Sequence, residues 1–567
     1  MGRDLTQGIE RAYAERLDLF VVALTGRTGS GCTTTANSLC RNFEDLHSSQ
    51  EGLNLMESRK QAICENFARV QWVPFRSISV STVIFGYLMT EEWIDLEAFL
   101  VAQKIDPGSI HSVYDQLKSS PYHPAFLELI KAPESRHSVD AWRYYMELLT
   151  VAAAETRTIL GNKYASVFQT LGDNIRRSGK PLSQSVDPTQ VFSLASRVKR
   201  LIFACRDYDR EQNHFSTRLV IDAVRNPLEL VYLRDQFAAF FSIAITTDEG
   251  HRRSRLTESG MSKRDIDSLD NREYSKKSLT SYENFVSQNI EECIQKSDIF
   301  ITNPGPPDSI EQNKLVLHRQ LIRYVTLICR PGLVTPTHDE RCMQLAFAAK
   351  LNSGCISRQV GASISDANSS IKAVGWNDVP KGQVPCLLRD ANTLLHSSDP
   401  AAFSDYEKNN SEFRAQVSSS HKNAPMIKTR RGLPCPFCFK DSYNALTKKP
   451  NQVHTRSLHA EENAFLQLAK HGNSGIAGGN LYTTASPCEL CSKKAFQLGI
   501  KEIIYVDPYP GISSSHVLSS GPEDSRPKLR LFHGAVGHAY HRVYEPILPI
   551  KDEYSARLGD DPDPVLI

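Results

Sequence analysis

Short runs of apolar residues recur along the first 305 residues, and these runs predict strands. Their β-branched and aromatic content supports that prediction. The runs are Leu19 to Leu24, Leu219 to Asp222, Phe240 to Ile245 and Ile299 to Asn303. Residues 55–200, between the first two runs, are predicted to be helical. The pattern therefore predicts an α/β region that ends at a turn-rich break around Pro304.

Beyond residue 330 the pattern alternates between helix and strand, which predicts an α/β/α sandwich. In chain order it predicts a helix from His338 to Lys350, a hairpin from Cys355 to Asn377, a helix after His459, a strand from Asn480 to Thr484, a helix after Pro487 and a strand from Glu502 to Val506. Residues 380–456 interrupt this order as a long polar insertion. The sequence therefore predicts a domain at 1–305, a linker helix within 306–330 and a second domain at 331–567.

Composition narrows the class of protein. The chain has 567 residues, enough for about two to four domains. Its formal charge is only +2, with 66 basic and 64 acidic residues, so no global field attracts nucleic acid and any polynucleotide must be bound locally. No apolar run approaches the length of a membrane span, and the first residues lack a signal-peptide pattern, so we expect a soluble, cytoplasmic protein without membrane contact. Thirteen cysteines, four of them in two C-x-x-C pairs, indicate metal ligands and buried thiols rather than disulfides.

One motif has the residue types of a catalytic zinc site. His459 is followed two positions later by Glu461, and 29 and 32 residues later by Cys488 and Cys491. One imidazole and two thiolates give Zn²⁺ three ligands and leave one position for water. Glu461 is then placed to carry protons between that water and a leaving amine, as in the H-x-E…P-C-x-x-C signature of zinc deaminases. The alternative is a structural zinc knot with a surface Glu461, which would require a fourth protein ligand.

A second motif follows the first predicted strand and has the layout of a phosphate cradle. It comprises Gly26, Arg27, Thr28, Gly29, Ser30, Gly31, Cys32 and Thr33. Cys32 stands where the P-loop pattern requires lysine, so a bound nucleotide, phosphoryl transfer and a vestigial structural loop are three separate possibilities. Asp222 is a candidate Mg²⁺ ligand or a plain strand-end cap. The four arginines between 252 and 264 form either a phosphate-facing lid or a solvated helix face.

The insertion contains the second C-x-x-C pair, Cys435 and Cys438. A structural zinc completed by ligands from Cys386, His421 and His454 is one interpretation. Two free thiols in a turn and a redox pair are the others. The basic run at 428–431 could contact substrate phosphates or RNA, or it could be a solvated charge run.

The segment from Asp222 to Pro227, followed by Tyr232-Leu233-Arg234, resembles the P-loop nucleotide kinases over about residues 17–305. This resemblance implies a central parallel sheet and a nucleotide bound with Mg²⁺ at the glycine loop.

Arg358 to Ala362, Gly375-Trp376-Asn377 and the zinc motif together resemble the deoxycytidylate deaminases over about residues 336–510. The resemblance implies a cytidine-deaminase-like fold, Zn²⁺ as cofactor and free deoxycytidine nucleotides as substrates. It also implies that Asn377 contacts the sugar; the alternative is a turn residue at the end of the hairpin. Tyr505 or Tyr509 would flank the pyrimidine or simply pack.

The fusion of both domains resembles the bacterial antiviral deoxycytidylate deaminases. That resemblance implies deamination of dCMP and dCTP to deplete the nucleotide pool during phage infection, restraint by a small inhibitory RNA, and a homo-oligomer of the hexameric kind. Three alternatives stay open: a housekeeping pyrimidine-salvage dCMP deaminase, a polynucleotide cytosine deaminase that uses the basic insertion, and an RNA- or nucleotide-binding regulator with a dormant core.

Overall fold

The protein is described here by a computed structural model. It describes residues 2–131, 138–214, 216–274, 281–305, 309–397, 399–421, 432–449, 451, 453–472, 475–507 and 513–558. The chain forms two compact units, Met1–Thr335 with His538–Ile567, and Pro336–Gly537. No helix among the described residues is both long and apolar enough to cross a bilayer.

A parallel sheet forms the centre of the first unit. Its strands are β1 (Leu19–Thr25), β2 (Arg76–Ser79), β3 (Thr217–Asp222), β4 (Phe240–Thr246) and β5 (Ile299–Thr302), in the spatial order β5-β4-β1-β3-β2. Val22 of the central strand pairs with Val220 of β3 and with Phe241 of β4. All three side chains are buried, as expected for a strand run that is apolar on both faces. The parallel sheet implied by the sequence is therefore confirmed, and β2 is an additional strand within the region predicted to be helical.

Helices surround this sheet and fill the long segment between β2 and β3. The helices of this unit are Gly2–Arg16, Cys32–Leu39, Leu55–Gln71, Val80–Leu88, Trp93–Ala102, Gly108–Lys118, His123–Lys131, Val139–Arg143, Thr150–Leu160, Tyr164–Ser178, Ser193–Glu211, Pro227–Gln236, Glu249–Glu258, Lys263–Tyr274, Tyr282–Val286, Ile290–Gln295 and Ile310–Cys329, with Gly537–Tyr544 and Ile550–Leu558 at the end of the chain.

The predicted linker helix is a packed part of the first unit. Ile310–Cys329 lies against Leu55–Gln71, where the Thr326 hydroxyl donates to the Cys64 carbonyl at 3.2 Å and Arg323 pairs with Glu57 at 2.9 Å. Its pattern indicates a helix correctly, but the sequence does not reveal these distant partners.

The end of the chain also differs from the predicted division, because it belongs to the first unit rather than to a domain at 331–567. Glu553 of the last described helix accepts a hydrogen bond from the Tyr13 hydroxyl at 3.1 Å and pairs with Arg330. Arg542 donates to the Phe240 carbonyl at 2.9 Å. These partners lie hundreds of residues away in sequence, so no local pattern indicates them.

The second unit has a mixed five-stranded sheet. Its strands are β6 (Gly361–Ser365), β7 (Ile371–Trp376), β8 (Asn480–Ala485), β9 (Glu502–Asp507) and β10 (Lys528–Leu531), in the order β10-β9-β8-β6-β7. β6 runs antiparallel to β7 and β8, whereas β8, β9 and β10 are mutually parallel. Its helices are His338–Lys350, Ala391–His396, Asp405–Asn409, Ser411–Ser420, Phe439–Thr447, Ala460–His471 and Glu489–Gln497. A two-residue strand, Gly534–Ala535, follows β10.

Two glycines let helices approach this sheet from opposite faces. A Cβ on Gly361 would lie 2.0 Å from the Ala346 carbonyl of helix His338–Lys350, and one on Gly375 would lie 2.4 Å from the Ala460 carbonyl of helix Ala460–His471. Gly361 pairs across the ladder with Trp376, so Gly361 and Gly375 point to opposite faces. The unit is therefore a three-layer α/β/α sandwich, and Gly375 sets the depth of the helix that follows His459.

The insertion at 380–456 folds around a small core of its own. Its buried apolar residues are Ala391, Leu394, Ala402, Phe403, Phe413, Val417 and Phe437. Arg389 and Glu407 form an ion pair inside this core, with side chains 0% and 1% exposed, and the guanidinium also lies over the rings of Phe403 and Phe437 at 4.9 and 4.7 Å. The polar composition of the insertion therefore conceals a packed subdomain. The basic run at 428–431 lies outside the described residues.

We expect Gly375→Ala to lower the free energy of unfolding by about 1–3 kcal/mol, because the added methyl group would overlap helix backbone that cannot rotate away. Thermal unfolding of the full-length protein measures the effect. Gly8→Ala is the control, since nothing lies within 4 Å of a Cβ at that helical position. An unchanged midpoint in Gly375→Ala would contradict the close approach.

Candidate functional site

Two helices bring the predicted metal ligands together. His459 immediately precedes helix Ala460–His471, whereas Cys488 and Cys491 lie at the start of helix Glu489–Gln497. The Nδ1 atom of His459 is 3.3 Å from Cys488 Sγ and 3.5 Å from Cys491 Sγ. The three ligand atoms lie within 4.8 Å of one another, and no other such group of three occurs in the described part of the chain.

This spacing fits zinc. Tetrahedral coordination with ordinary Zn–N and Zn–S bond lengths places the ligand nitrogen and sulfur about 3.5 Å apart. The donor set, one imidazole and two thiols, is the set that zinc prefers. His459, Cys488 and Cys491 could therefore hold one zinc ion and leave a coordination position for a fourth ligand.

Hydrogen bonds couple the two thiols to each other and to His459. Hydrogen bonds from Cys491 first, and then from His459, lower the pKa of the Cys488 thiol to about 4. The neighbouring Cys488 thiolate in turn raises the pKa of Cys491. Cys488 also lies at a helix N-terminus, a position that stabilises the negative charge of a thiolate.

Glu461 lies in the first turn of helix Ala460–His471, two residues after His459. The residue is 4% exposed, and its Oε1 accepts a hydrogen bond from the Thr483 hydroxyl of β8 at 3.2 Å. Burial raises the pKa of this carboxyl group. A buried carboxyl group with a raised pKa is suited to accepting and returning a proton.

Comparison with known proteins supports the same assignment. Residues 336–507 match the family described as the cytidine and deoxycytidylate deaminase zinc-binding region. Deoxycytidylate deaminase of Enterobacteria phage T4 is 29% identical over 169 residues, which are 30% of this chain and 76% of that protein. The phage T2 enzyme is 30% identical over 182 residues, covering 30% of this chain and 78% of that protein.

The chain belongs to the deoxycytidylate deaminase family. Deoxycytidylate deaminase of Schizosaccharomyces pombe is 28% identical over 185 residues, 32% of this chain and 41% of the yeast protein. These alignments each cover about a third of the chain, so the family assignment rests on the second unit.

Asn377 occupies a structural position in this deaminase unit. Its Oδ1 accepts from the Val360 N–H and its Nδ2 donates to the Arg358 carbonyl, each at 2.7 Å. These bonds join the residues that precede β6 to the residue that follows β7. The amide keeps one further donor hydrogen and one further lone pair, so a role in substrate binding stays a prediction.

Other side chains around the metal ligands were not predicted. Glu462 accepts from the His459 N–H at 3.4 Å and pairs with Lys494, which joins the two ligand helices. Its position three residues after His459 has the spacing of a capping box, a signal that could have identified it. Thr483 shows no such signal, because its contact with Glu461 depends on strand register.

The second C-x-x-C pair does not gather a comparable ligand set among the described residues. Cys438 Sγ accepts a hydrogen bond from the Ser357 hydroxyl at 3.6 Å. Burial raises the pKa of the Cys386 thiol, and the neighbouring Cys438 and Cys355 also raise it. His421 and His454 pack instead against Phe437 and Tyr443, respectively. A structural metal at Cys435 and Cys438 stays a prediction.

Of the two candidate tyrosines, Tyr505 is half-buried on β9, and Tyr509 lies outside the described residues.

The glycine loop of the first unit links β1 to helix Cys32–Leu39. Gly31 adopts φ 106°, and a Cβ there would lie 2.3 Å from Asn303 Nδ2, so both backbone conformation and space require glycine. Asn303 also donates to the Ser30 carbonyl at 2.9 Å. Cys32 is buried, and burial raises the pKa of its thiol to about 12, so it supplies no charge to this loop.

A cavity of about 760 Å³ opens in front of the loop. Thr33 and Asp222 line it together, with the Thr33 hydroxyl donating to Asp222 Oδ2 at 2.9 Å. A hydroxyl and a carboxylate are oxygen ligands of the kind that Mg²⁺ accepts beside phosphate. Of the four arginines between 252 and 264, Arg255 lines the cavity. Arg252 and Arg253 pair with Asp270, and Arg264 lies on the surface. Most of the arginines predicted as a possible lid are therefore ion-paired or exposed on helices.

We expect one zinc ion per chain at the His459 cluster, lost in Cys488→Ser but retained in the control Cys40→Ser. Replacing one of three ligands removes a strong metal–sulfur bond. Elemental analysis of the purified protein measures the stoichiometry. A further equivalent that disappears in Cys438→Ser would establish the second metal, and full zinc content in Cys488→Ser would contradict the assigned ligand set.

Proposed function

We propose that this protein catalyses the zinc-dependent hydrolytic deamination of free deoxycytidine nucleotides, dCMP and also dCTP, to deoxyuridine nucleotides. The observation that carries the proposal is the convergence of His459, Cys488 and Cys491 beside a buried Glu461. The names of the phage and yeast relatives support the same substrate class.

His459, Cys488 and Cys491 would hold the zinc ion, which when bound supplies an activated water to this site. In the overall reaction a C4–O bond forms, the C4–N bond to the amino group breaks, and ammonia leaves. Glu461 carries both protons of the water: it takes the first and gives it to N3 of the ring, then takes the second from the new C4 hydroxyl as the carbonyl forms and passes it to the departing amino group. The Thr483 hydroxyl orients the Glu461 carboxyl group through the 3.2 Å hydrogen bond.

Asn377 is the proposed sugar contact. Its amide is fixed by the Arg358 carbonyl and the Val360 N–H, which supports a preorganised contact rather than a mobile one. Free nucleotides are favoured over a polynucleotide because the whole chain has almost equal numbers of acidic and basic residues, while tracking a strand requires a positive groove.

The glycine loop is the second proposed site, for a nucleotide bound with Mg²⁺ through Thr33 and Asp222. The loop geometry, the adjacent hydroxyl and carboxylate, and the large cavity support it. The missing lysine favours binding over phosphoryl transfer.

We expect Glu461→Gln to lower kcat by on the order of 10²–10⁴-fold while zinc is retained, because the amide cannot carry protons. Ammonia release from dCMP, dCTP, deoxycytidine and single-stranded DNA and RNA is the measurement, with Glu412→Gln on the surface as the matched control. Wild-type turnover by Glu461→Gln would refute the mechanism. Ammonia release from single-stranded DNA or RNA, but not from dCMP or dCTP, would show that the substrate is a polynucleotide rather than a free nucleotide.

The biological setting we propose is cytoplasmic antiphage defence by an oligomeric, hexamer-type enzyme restrained by a small RNA. Its support is the resemblance of the fused chain to antiviral deaminases. During phage infection, cells with the wild-type chain should lose dCMP and dCTP and resist lysis, whereas cells with Glu461→Gln should do neither. Equal resistance with both chains, or no fall in the nucleotide pool, would favour pyrimidine salvage.

A further inference from the structure

The proposed nucleotide site needs a cation that position 32 does not provide. Arg225 lies three residues beyond Asp222, after the end of β3, and its side chain lines the cavity with Thr28, Cys32 and Thr33. Its Nη1 donates to the Thr28 hydroxyl at 3.0 Å, which places a guanidinium directly against the glycine loop. Its charge also acts on the Cys32 thiol and on Asp222.

Arg225 has an internal counter-anion. Glu273, near the end of helix Lys263–Tyr274, accepts from Arg225 Nη1 at 2.6 Å, and its own side chain is 0% exposed. The same carboxylate accepts from the backbone N–H of Thr28 at 3.1 Å and from the Thr28 hydroxyl. The Glu273 carboxylate therefore accepts hydrogen bonds from one guanidinium, one hydroxyl and one backbone N–H of the loop.

Phosphate oxygens accept hydrogen bonds from the same kinds of donor in phosphate-binding loops. A guanidinium matches phosphate as well as carboxylate, and it keeps its charge when buried. Glu273 thus occupies donors that a ligand phosphate would use.

The helix that carries Glu273 is held at the loop by further ion pairs. Asp270, one turn earlier, pairs with Arg27 at 2.7 Å and with Arg252 at 2.6 Å. Arg252 in turn donates to the Thr28 carbonyl at 2.9 Å. The carboxylate of Glu273 can therefore leave Arg225 while its helix stays attached to the loop through Asp270.

We propose that Arg225 replaces the missing lysine as the phosphate-binding cation, and that a magnesium-bound nucleoside polyphosphate takes Arg225 and Thr28 from Glu273. This inference rests on the proposed nucleotide site. The carboxylate keeps the guanidinium neutralised in the ligand-free protein, and a phosphate chain with several negative charges displaces it. Ligand binding and the Glu273 contact are then competing equilibria, so the contact lowers the apparent affinity.

A purely structural Arg225–Glu273 pair predicts the opposite sign. If the pair only shaped the loop, loss of the carboxylate charge would loosen the loop and weaken ligand binding. If Glu273 competes with phosphate, the same substitution strengthens binding. The direction of the change therefore separates the two cases.

The experiment is titration calorimetry of the full-length protein with inorganic tripolyphosphate and Mg²⁺ at fixed ionic strength. Glu273→Gln should bind tighter than wild type by on the order of tenfold, since the competing charged hydrogen bonds are lost. The double variant Arg225→Met with Glu273→Gln should bind at least about tenfold more weakly than Glu273→Gln. The double variant is used because Arg225→Met alone would leave a buried carboxylate without its cation.

Two further variants test whether tripolyphosphate binds at the glycine loop. Thr33→Val should lose binding, because the proposed Mg²⁺ ligand is removed, and Arg210→Met should bind like wild type, because Arg210 pairs with Asp18 on the exposed surface. If Thr33→Val binds like wild type, the nucleotide site fails and this inference fails with it. If Thr33→Val loses binding but Glu273→Gln binds no tighter, or the double variant binds as well as Glu273→Gln, the nucleotide site stands and the role of Arg225 and Glu273 is wrong.

Discussion

The distance between one imidazole nitrogen and two sulfur atoms is the constraint on which the deaminase unit depends. His459 and Cys488 precede different helices, separated in sequence by a complete helix and by β8, yet Nδ1 and Sγ lie 3.3 Å apart. The two helices must start at the same place for a single ion to be shared. The sheet makes this possible, because β8 leads directly into the cysteine helix while β7 supports the histidine helix.

Close backbone packing positions the histidine helix against the sheet. At Gly375 the strand approaches the Ala460 carbonyl so closely that any side chain would be excluded. The Glu462–Lys494 pair then ties the histidine helix to the cysteine helix. In this arrangement Glu461 faces Thr483, which pairs with Ala362 and so points to the same side of the sheet as Gly375.

Much of this site could be predicted from the sequence because zinc chemistry restricts residue types and spacing to a few patterns. His459, Cys488 and Cys491 form the predicted cluster, and the α/β/α order follows from alternating helix and strand patterns. The prediction fails where distant chain segments meet. Neither the docking of Glu553 on Tyr13 nor the buried Arg389–Glu407 pair has a local signal, since each depends on charges that look solvated in sequence.

The same limitation explains why the glycine loop looks incomplete when its sequence alone is considered. The P-loop pattern requires a lysine at a fixed position within the loop, and this chain has Cys32 there. In a parallel sheet, however, the segments that follow neighbouring strands emerge at one edge. β1 and β3 are neighbours, so the segment after β3 can supply a side chain to the loop after β1, as the 3.0 Å hydrogen bond from Arg225 to Thr28 demonstrates. Because the cation comes from the segment after β3 and not from the loop itself, a carboxylate from another helix can pair with it, as Glu273 does with Arg225.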